Sequence, residues 1–122
     1  MAKIMTVDDS KTMRQMVTFT LKGAGFEVME AEDGKNALEV LGDTKVDLII
    51  TDLNMPVMDG FGLIEELRKH PVHKFSPILI LTTEADPAKK ERGKQLGATG
   101  WLVKPFNPEK LIQVVNKVLV IS

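Results

Sequence analysis

Short runs of apolar residues alternate with segments of helical periodicity from one end of the chain to the other. Five runs rich in Val, Ile and Leu predict buried strands, at residues 3–7, 26–30, 48–51, 78–81 and 101–103. The segment after each run has apolar residues at helical spacing. This alternation is typical of a parallel sheet with helices on both faces. The pattern therefore predicts a doubly wound α/β fold with five strands and about five helices, as one domain over residues 1–122.

Capping residues mark where the predicted helices begin. Asp33, Asp59 and Asp86 each precede a helical pattern, and Asn107 followed by Pro108 opens the last one. These signals agree with the apolar periodicity and place a loop after every strand.

Polar side chains follow four of the five predicted strands. Asp8 and Asp9 come directly after the first strand, Asp52 after the third, Thr82 after the fourth and Lys104 after the fifth. In an open parallel sheet, ligands bind outside the carboxyl ends of the strands, where the strand order reverses. We therefore expect these five residues to form one site between the first and third strands.

The charges of this set predict a metal ion. Three aspartates and one lysine sum to −2, and two like charges about 4 Å apart repel by roughly 4 kcal/mol at an effective dielectric of 20. A divalent cation would balance the set, and oxygen ligands without Cys or His favour Mg²⁺, with Mn²⁺ as an alternative. Asp52 beside a metal, Lys104 and Thr82 is suited to attack phosphorus, which would give an aspartyl phosphate.

Four segments, in the same order along the chain, resemble the receiver domain of two-component response regulators. They are "VDDS", "DLNMPVMDG", "LTTEA" and "GWLVKPF", and the likeness covers essentially the whole chain. The segment "DDSKTMR" and the absence of an output domain further resemble the single-domain, CheY-like chemotaxis regulators. The resemblance implies a sheet of strand order 2-1-3-4-5.

The resemblance also implies metal and phosphoacceptor roles. Asp52 would be the phosphoacceptor. Asp9, Asp52 and the backbone carbonyl of Asn54 would bind Mg²⁺, and Asp8 would hold a metal-bound water. These assignments follow from matching motif positions.

Further roles follow in the same way. Thr82 would bond a phosphoryl oxygen, and Lys104 would pair with the phosphate and precede a cis peptide bond to Pro105. Asn54 and Glu84 match positions that tune hydrolysis of the acyl phosphate. Trp101 is at the switch position, where the family usually has the smaller Tyr or Phe.

A receiver of this kind takes its phosphoryl group from a histidine kinase and then binds a downstream protein. The resemblance implies a flagellar motor switch component as the target, bound through the fourth helix, fifth strand and fifth helix. A phosphorelay intermediate or a phosphate sink without motor binding is the alternative. In each case the chain is expected to be a monomeric switch that only accepts and loses phosphate, and not an enzyme.

The composition limits which classes of partner and which cellular location are expected. The net charge of −1 gives no footprint for nucleic acid, and the absence of cysteine excludes disulfides and thiolate sites. No apolar run is long enough for a signal peptide or a membrane span. The expectation is a cytoplasmic protein without nucleic-acid or membrane partners.

Two functions of other classes are alternatives to the receiver. A flavodoxin-like carrier would need a hydroxyl-rich phosphate loop after the first strand, where this chain has "DDSKTM". A phosphatase using Asp52 would share the site but turn over many phosphoesters. Elsewhere, His70 and His73 are expected in an exposed loop without function, and Met16 is expected in the core.

Overall fold

The structure is a computed structural model that describes residues 2–121. Its strands are β1 (Lys3–Val7), β2 (Glu27–Ala31), β3 (Leu48–Thr51), β4 (Ile78–Thr82) and β5 (Gly100–Val103). Its helices are α1 (Lys11–Gly23), α2 (Gly34–Leu41), α3 (Gly60–Lys69), α4 (Pro87–Leu96) and α5 (Pro108–Ile121). All five strands and five helices were predicted, and the strand ends differ from the prediction by at most one residue.

The strands form one parallel sheet in the order β2-β1-β3-β4-β5. This confirms the doubly wound fold and the strand order implied by the resemblance. The order reverses between β1 and β3, so the carboxyl ends of these two neighbouring strands meet at the switch point.

Both faces of the sheet are covered, which explains why the strands are apolar without interruption. Along β1, Ile4 packs against the helices on one face and Met5 against those on the other. The first face is covered by α1 and α5, and the second by α2 and α3 with part of α4. Because successive strand residues point to opposite faces, two separate apolar clusters form the core.

The predicted caps close the amino ends of the helices. The side chains of Asp33, Asp59 and Asp86 accept hydrogen bonds from backbone amides of α2, α3 and α4 at 2.8, 2.8 and 3.0 Å. Asn107 does the same for α5 at 3.1 Å. Between residues 2 and 121, no helix has the length and apolar character needed to cross a bilayer.

Two expectations about side-chain exposure were wrong. His73 is fully buried, because the turn after α3 folds inward and its Nε2 lies 2.9 Å from the Gly42 carbonyl. Met16 is 51% exposed, because it lies at the edge of the apolar stripe of α1, whose buried centre contains Val17 and Leu21.

Candidate functional site

The acid pair after β1 divides into one buried and one exposed carboxylate. Asp8 extends the sheet, since its amide donates to the Ala31 carbonyl at 3.1 Å, and its side chain is almost fully buried. Its Oδ1 accepts the amide of Ser10 at 2.9 Å, and Ser10 caps α1. Asp9 is exposed. The turn into the helix thus fixes Asp8 and leaves Asp9 accessible to a ligand.

Asp52 lies at the end of β3, beside Asp8. Its amide donates to the Val7 carbonyl at 3.0 Å, and its Oδ1 accepts the amide of Leu53 at 2.7 Å. The first residue of α3, Gly60, approaches so closely that a Cβ there would collide with the Asp52 carbonyl oxygen. The backbone therefore holds Asp52 from both the β1 side and the α3 side.

Lys104 joins the two buried aspartates. Its Nζ lies 2.7 Å from Oδ2 of Asp8 and 2.8 Å from Oδ2 of Asp52, and its side chain is 8% exposed. The Lys104 amide donates to the Thr82 carbonyl at 2.7 Å, and the bond to Pro105 is cis, as the resemblance implied. Burial lowers the pKa of Lys104, but the hydrogen bonds and charges of Asp52 and Asp8 outweigh it and raise that pKa overall.

The three aspartates are close enough to share a cation. Asp8, Asp9 and Asp52 each offer a carboxylate oxygen, and these oxygens lie within 4.8 Å of one another. Lys104 supplies only one positive charge against three negative ones. The donor set is therefore compatible with Mg²⁺, which prefers oxygen ligands and needs few carboxylates. Asn54 lies in the exposed loop two residues after Asp52.

Thr82, Glu84 and Trp101 form a hydrogen-bonded chain that leads away from this carboxylate cluster. Thr82 is fully buried at the end of β4, and its Oγ1 accepts the Glu84 amide at 3.3 Å. The Glu84 carbonyl accepts the indole Nε1–H of Trp101 at 3.0 Å. The Glu84 carboxylate pairs with Lys89 of α4 at 3.2 Å. The predicted residues thus fall into a carboxylate–lysine cluster and an adjoining chain that reaches α4.

Sequence reasoning missed one contributor to the site. Arg14 lies in α1, and its side chain is only 16% exposed. Its Nη1 donates to the Asp8 carbonyl at 2.6 Å, and its Nε donates to Glu30 at 2.9 Å. The available signal was its position four residues after the Ser10 cap, which turns Arg14 back toward the end of β1.

Comparison with known proteins gives one family for the chain. Residues 4–116 match the model of the response regulator receiver domain. Chemotaxis protein CheY1 of Helicobacter pylori is 41% identical over 121 residues, which cover 96% of each chain. Chemotaxis protein CheY-3 of Vibrio cholerae is 38% identical over 95% of this chain and 90% of its own length.

Longer proteins also match. The probable transcriptional regulator ycf27 of Porphyridium aerugineum is 36% identical over 96% of this chain, which spans 48% of that protein's length. Among solved structures, chemotaxis response regulator CheY4 of Vibrio cholerae is 53% identical, with a TM-score of 0.91 and coverage of 97% of this chain and 98% of its own.

Proposed function

This chain belongs to the response regulator receiver family, and we propose that it is a signalling switch that accepts a phosphoryl group on Asp52 from a histidine kinase. The observation that carries this proposal is the ammonium group of Lys104 held between the buried carboxylates of Asp8 and Asp52 at 2.7 and 2.8 Å. An ammonium beside an acceptor carboxylate can pair with a phosphoryl group that arrives there.

The proposed transfer is a displacement at phosphorus. A carboxylate oxygen of Asp52 forms a bond to phosphorus while the bond from phosphorus to the donor imidazole nitrogen breaks, and the electron pair stays on that nitrogen. Lys104 moves its charge from the carboxylates to the phosphoryl oxygens, and the Thr82 hydroxyl offers them a hydrogen bond. Asp8, Asp9 and Asp52, with the Asn54 carbonyl, would hold Mg²⁺, which when bound neutralises phosphoryl charge.

The same site would end the signal. Water attacks the phosphorus of the acyl phosphate, inorganic phosphate leaves and the Asp52 carboxylate is restored. Asn54, which is exposed, and Glu84, which is partly buried, are the side chains proposed to set how readily water enters. In this proposal the chain releases only its own phosphate and does not turn over other phosphoesters.

The proposed output is binding of a downstream protein in chemotaxis, with a flagellar motor switch component as the specific target. The surface formed by α4, β5 and α5 exposes the lysines Lys90 and Lys94, which suit an acidic partner. Helix α1, which covers the same face of the sheet as α5, exposes Phe19 at 81%, and this helix is proposed to dock the kinase. These partners place the protein in the cytoplasm, where we propose it works as a monomer.

Intact mass spectrometry after incubation with acetyl phosphate tests the phosphoacceptor. We expect one phosphoryl adduct in wild type that requires Mg²⁺ and decays on standing, and none in Asp52→Asn. Asp43→Asn is the matched control, because the Asp43 side chain is 89% exposed and distant from the carboxylate cluster in the sheet. Its adduct should equal that of wild type.

An adduct that persists in Asp52→Asn, or that forms equally without a divalent metal, would contradict the proposal. Repeated hydrolysis of nitrophenyl phosphate that is lost in Asp52→Asn would instead identify a phosphatase.

A further inference from the structure

Helix α4 has a glycine in its interior where the sequence gives no local reason for one. The helix is strongly polar, and Gly93 is its only buried residue. Apart from proline, glycine is the least favourable residue inside a helix. The φ of Gly93 is not positive, and its carbonyl accepts the Ala98 amide at 2.9 Å, which the carbonyl of any residue could do, so neither a turn nor a cap requires a glycine here. Its small size must serve a packing contact.

That contact is made with the indole of Trp101. A Cβ built on Gly93 would lie 3.1 Å from Cζ3 and 3.5 Å from Cε3 of Trp101, and 3.1 Å from Cδ1 of Ile80. The six-membered ring of the indole therefore lies directly against the α4 backbone. A Cβ at position 93 would require the ring or the Ile80 side chain to shift by a few tenths of an ångström, and a larger side chain would require more.

The other edge of the same indole is fixed by a hydrogen bond. Trp101 Nε1 donates to the Glu84 carbonyl at 3.0 Å, and the Glu84 amide donates to Oγ1 of Thr82 at 3.3 Å. The ring therefore has two fixed edges, one on α4 and one on the segment that leads to the candidate site. A smaller aromatic ring would not span both in the same way, and a phenylalanine could not donate the hydrogen bond.

Two other side-chain contacts of α4 lead to a different part of the fold. Arg92 lies over the ring of Phe61 in α3 at 4.4 Å, and Arg68 donates to the carbonyl of Gly97 at 2.7 Å. Both contacts attach α4 or its C-cap to α3. Trp101 attaches α4 to β5 and, through the Glu84 carbonyl, to the end of β4, and the ion pair of Lys89 in α4 meets the same Glu84.

We propose that Gly93 is a positioning residue for Trp101, and that the two form a matched pair in which the missing side chain of one admits the indole of the other. The pair holds the indole Nε1 on the Glu84 carbonyl and so couples Thr82 to α4. The inference that this coupling relays phosphorylation to the output surface rests on the function proposed above. The fit of the Trp101 indole against Gly93 rests on the observed contacts alone.

Trp101 is the only tryptophan of the chain, so its fluorescence reports the pair directly. In Gly93→Ala we expect the emission maximum of the resting protein to shift, because the new Cβ presses on the indole and changes its packing against α4. Phosphoryl incorporation at Asp52 should remain, while the emission change that accompanies it becomes smaller. Gly23→Ala is the matched control, since a Cβ there meets nothing within 4 Å, and its emission should be that of wild type.

A double-mutant cycle keeps the test decisive if Gly93→Ala folds poorly. We expect Gly93→Ala to lower the thermal midpoint in the Trp101 background, by an amount set by how far the indole and the Ile80 side chain can shift. In the Trp101→Phe background the same change should be neutral or should raise the midpoint, because alanine is the better helix former.

Two results would overturn the proposal. One is an unchanged resting emission in Gly93→Ala, and the other is an equal loss of midpoint in both backgrounds, which would make Ile80 the constraint. Neither result depends on phosphorylation. If wild type forms no adduct, the proposed function fails while the Gly93–Trp101 fit is still tested.

Discussion

Replacing Lys104 by methionine removes the one positive charge that joins the buried aspartates. At the observed separations of 2.7 and 2.8 Å, each attraction is about 6 kcal/mol at an effective dielectric of 20. Oxygens of Asp8 and Asp52 lie within 4.8 Å of each other, which corresponds to a repulsion of at least about 3.5 kcal/mol. Burying the three charged groups costs several kcal/mol each, so the sum of attractions overstates what the lysine contributes.

Proton binding by the folded variant limits how much free energy of unfolding is lost when Lys104 is replaced. Without Lys104 the folded protein can bind one proton, and protonating an aspartate of ordinary pKa, about 3.9, costs about 4 kcal/mol at pH 7 and about 1.5 kcal/mol at pH 5. We therefore expect Lys104→Met to lower the free energy of unfolding by about 3–4 kcal/mol at pH 7 without metal, in line with other buried pairs that lose one partner. The loss should be smaller at pH 5.

Urea denaturation followed by circular dichroism measures this loss at the two pH values, in EDTA and in excess Mg²⁺. Mg²⁺ should narrow the difference between variant and wild type, because the cation supplies the positive charge that the variant lacks. Lys110→Met is the matched control, since Lys110 is exposed on α5, and should change stability by less than about 0.5 kcal/mol. A loss below about 1 kcal/mol in EDTA at pH 7 would refute the electrostatic account of the site.

Two further results are expected. Gly60→Ala should lower the free energy of unfolding, measured in urea, by about 1–3 kcal/mol, because the new Cβ would collide with the Asp52 carbonyl oxygen and lie 2.9 Å from Cα of Leu53. Gly62→Ala is the control and should lower it less, because its Cβ meets the flexible Met58 side chain at 3.1 Å. Equal losses in the two variants would contradict this interpretation. The pKa of Lys104 is raised above 10.5, so its stabilising contribution is complete below about pH 10 and is lost as the pH rises through the folded value. The urea midpoint of wild type should therefore fall more steeply above pH 10 than that of Lys104→Met, and parallel curves would be the contrary result.

Much of the fold could be predicted because its signals are local. Each strand is a short apolar run and each helix has a capping residue, so periodicity and caps place the elements to within about a residue. The exposure of Met16 and the burial of His73 were not predicted, because both depend on tertiary packing. His73 is drawn inward by the carbonyl of Gly42, a residue 31 positions away in the chain.

The site was predictable to the extent that it depends on topology. Asp8, Asp52 and Lys104 each follow a strand, and a parallel sheet brings such positions to one edge. Arg14 was missed because its contact with the Asp8 carbonyl requires the actual turn between β1 and α1. The contact between Trp101 and Gly93 could not be predicted either, because the two residues are in different elements and no sequence pattern pairs their positions.

The hydrogen bonds of the carboxylates explain why the site has three acids and not two. Both side-chain oxygens of Asp8 are engaged, one by the Ser10 amide and one by Lys104. Those of Asp52 are engaged in the same way by the Leu53 amide and Lys104. Asp9 is the exposed member of the cluster, and no hydrogen bond or ion pair of its carboxylate occurs within residues 2–121. In the proposed function, Asp9 would therefore be the carboxylate most available to a cation, and Lys104 would be able to pair with negative charge that arrives at Asp52.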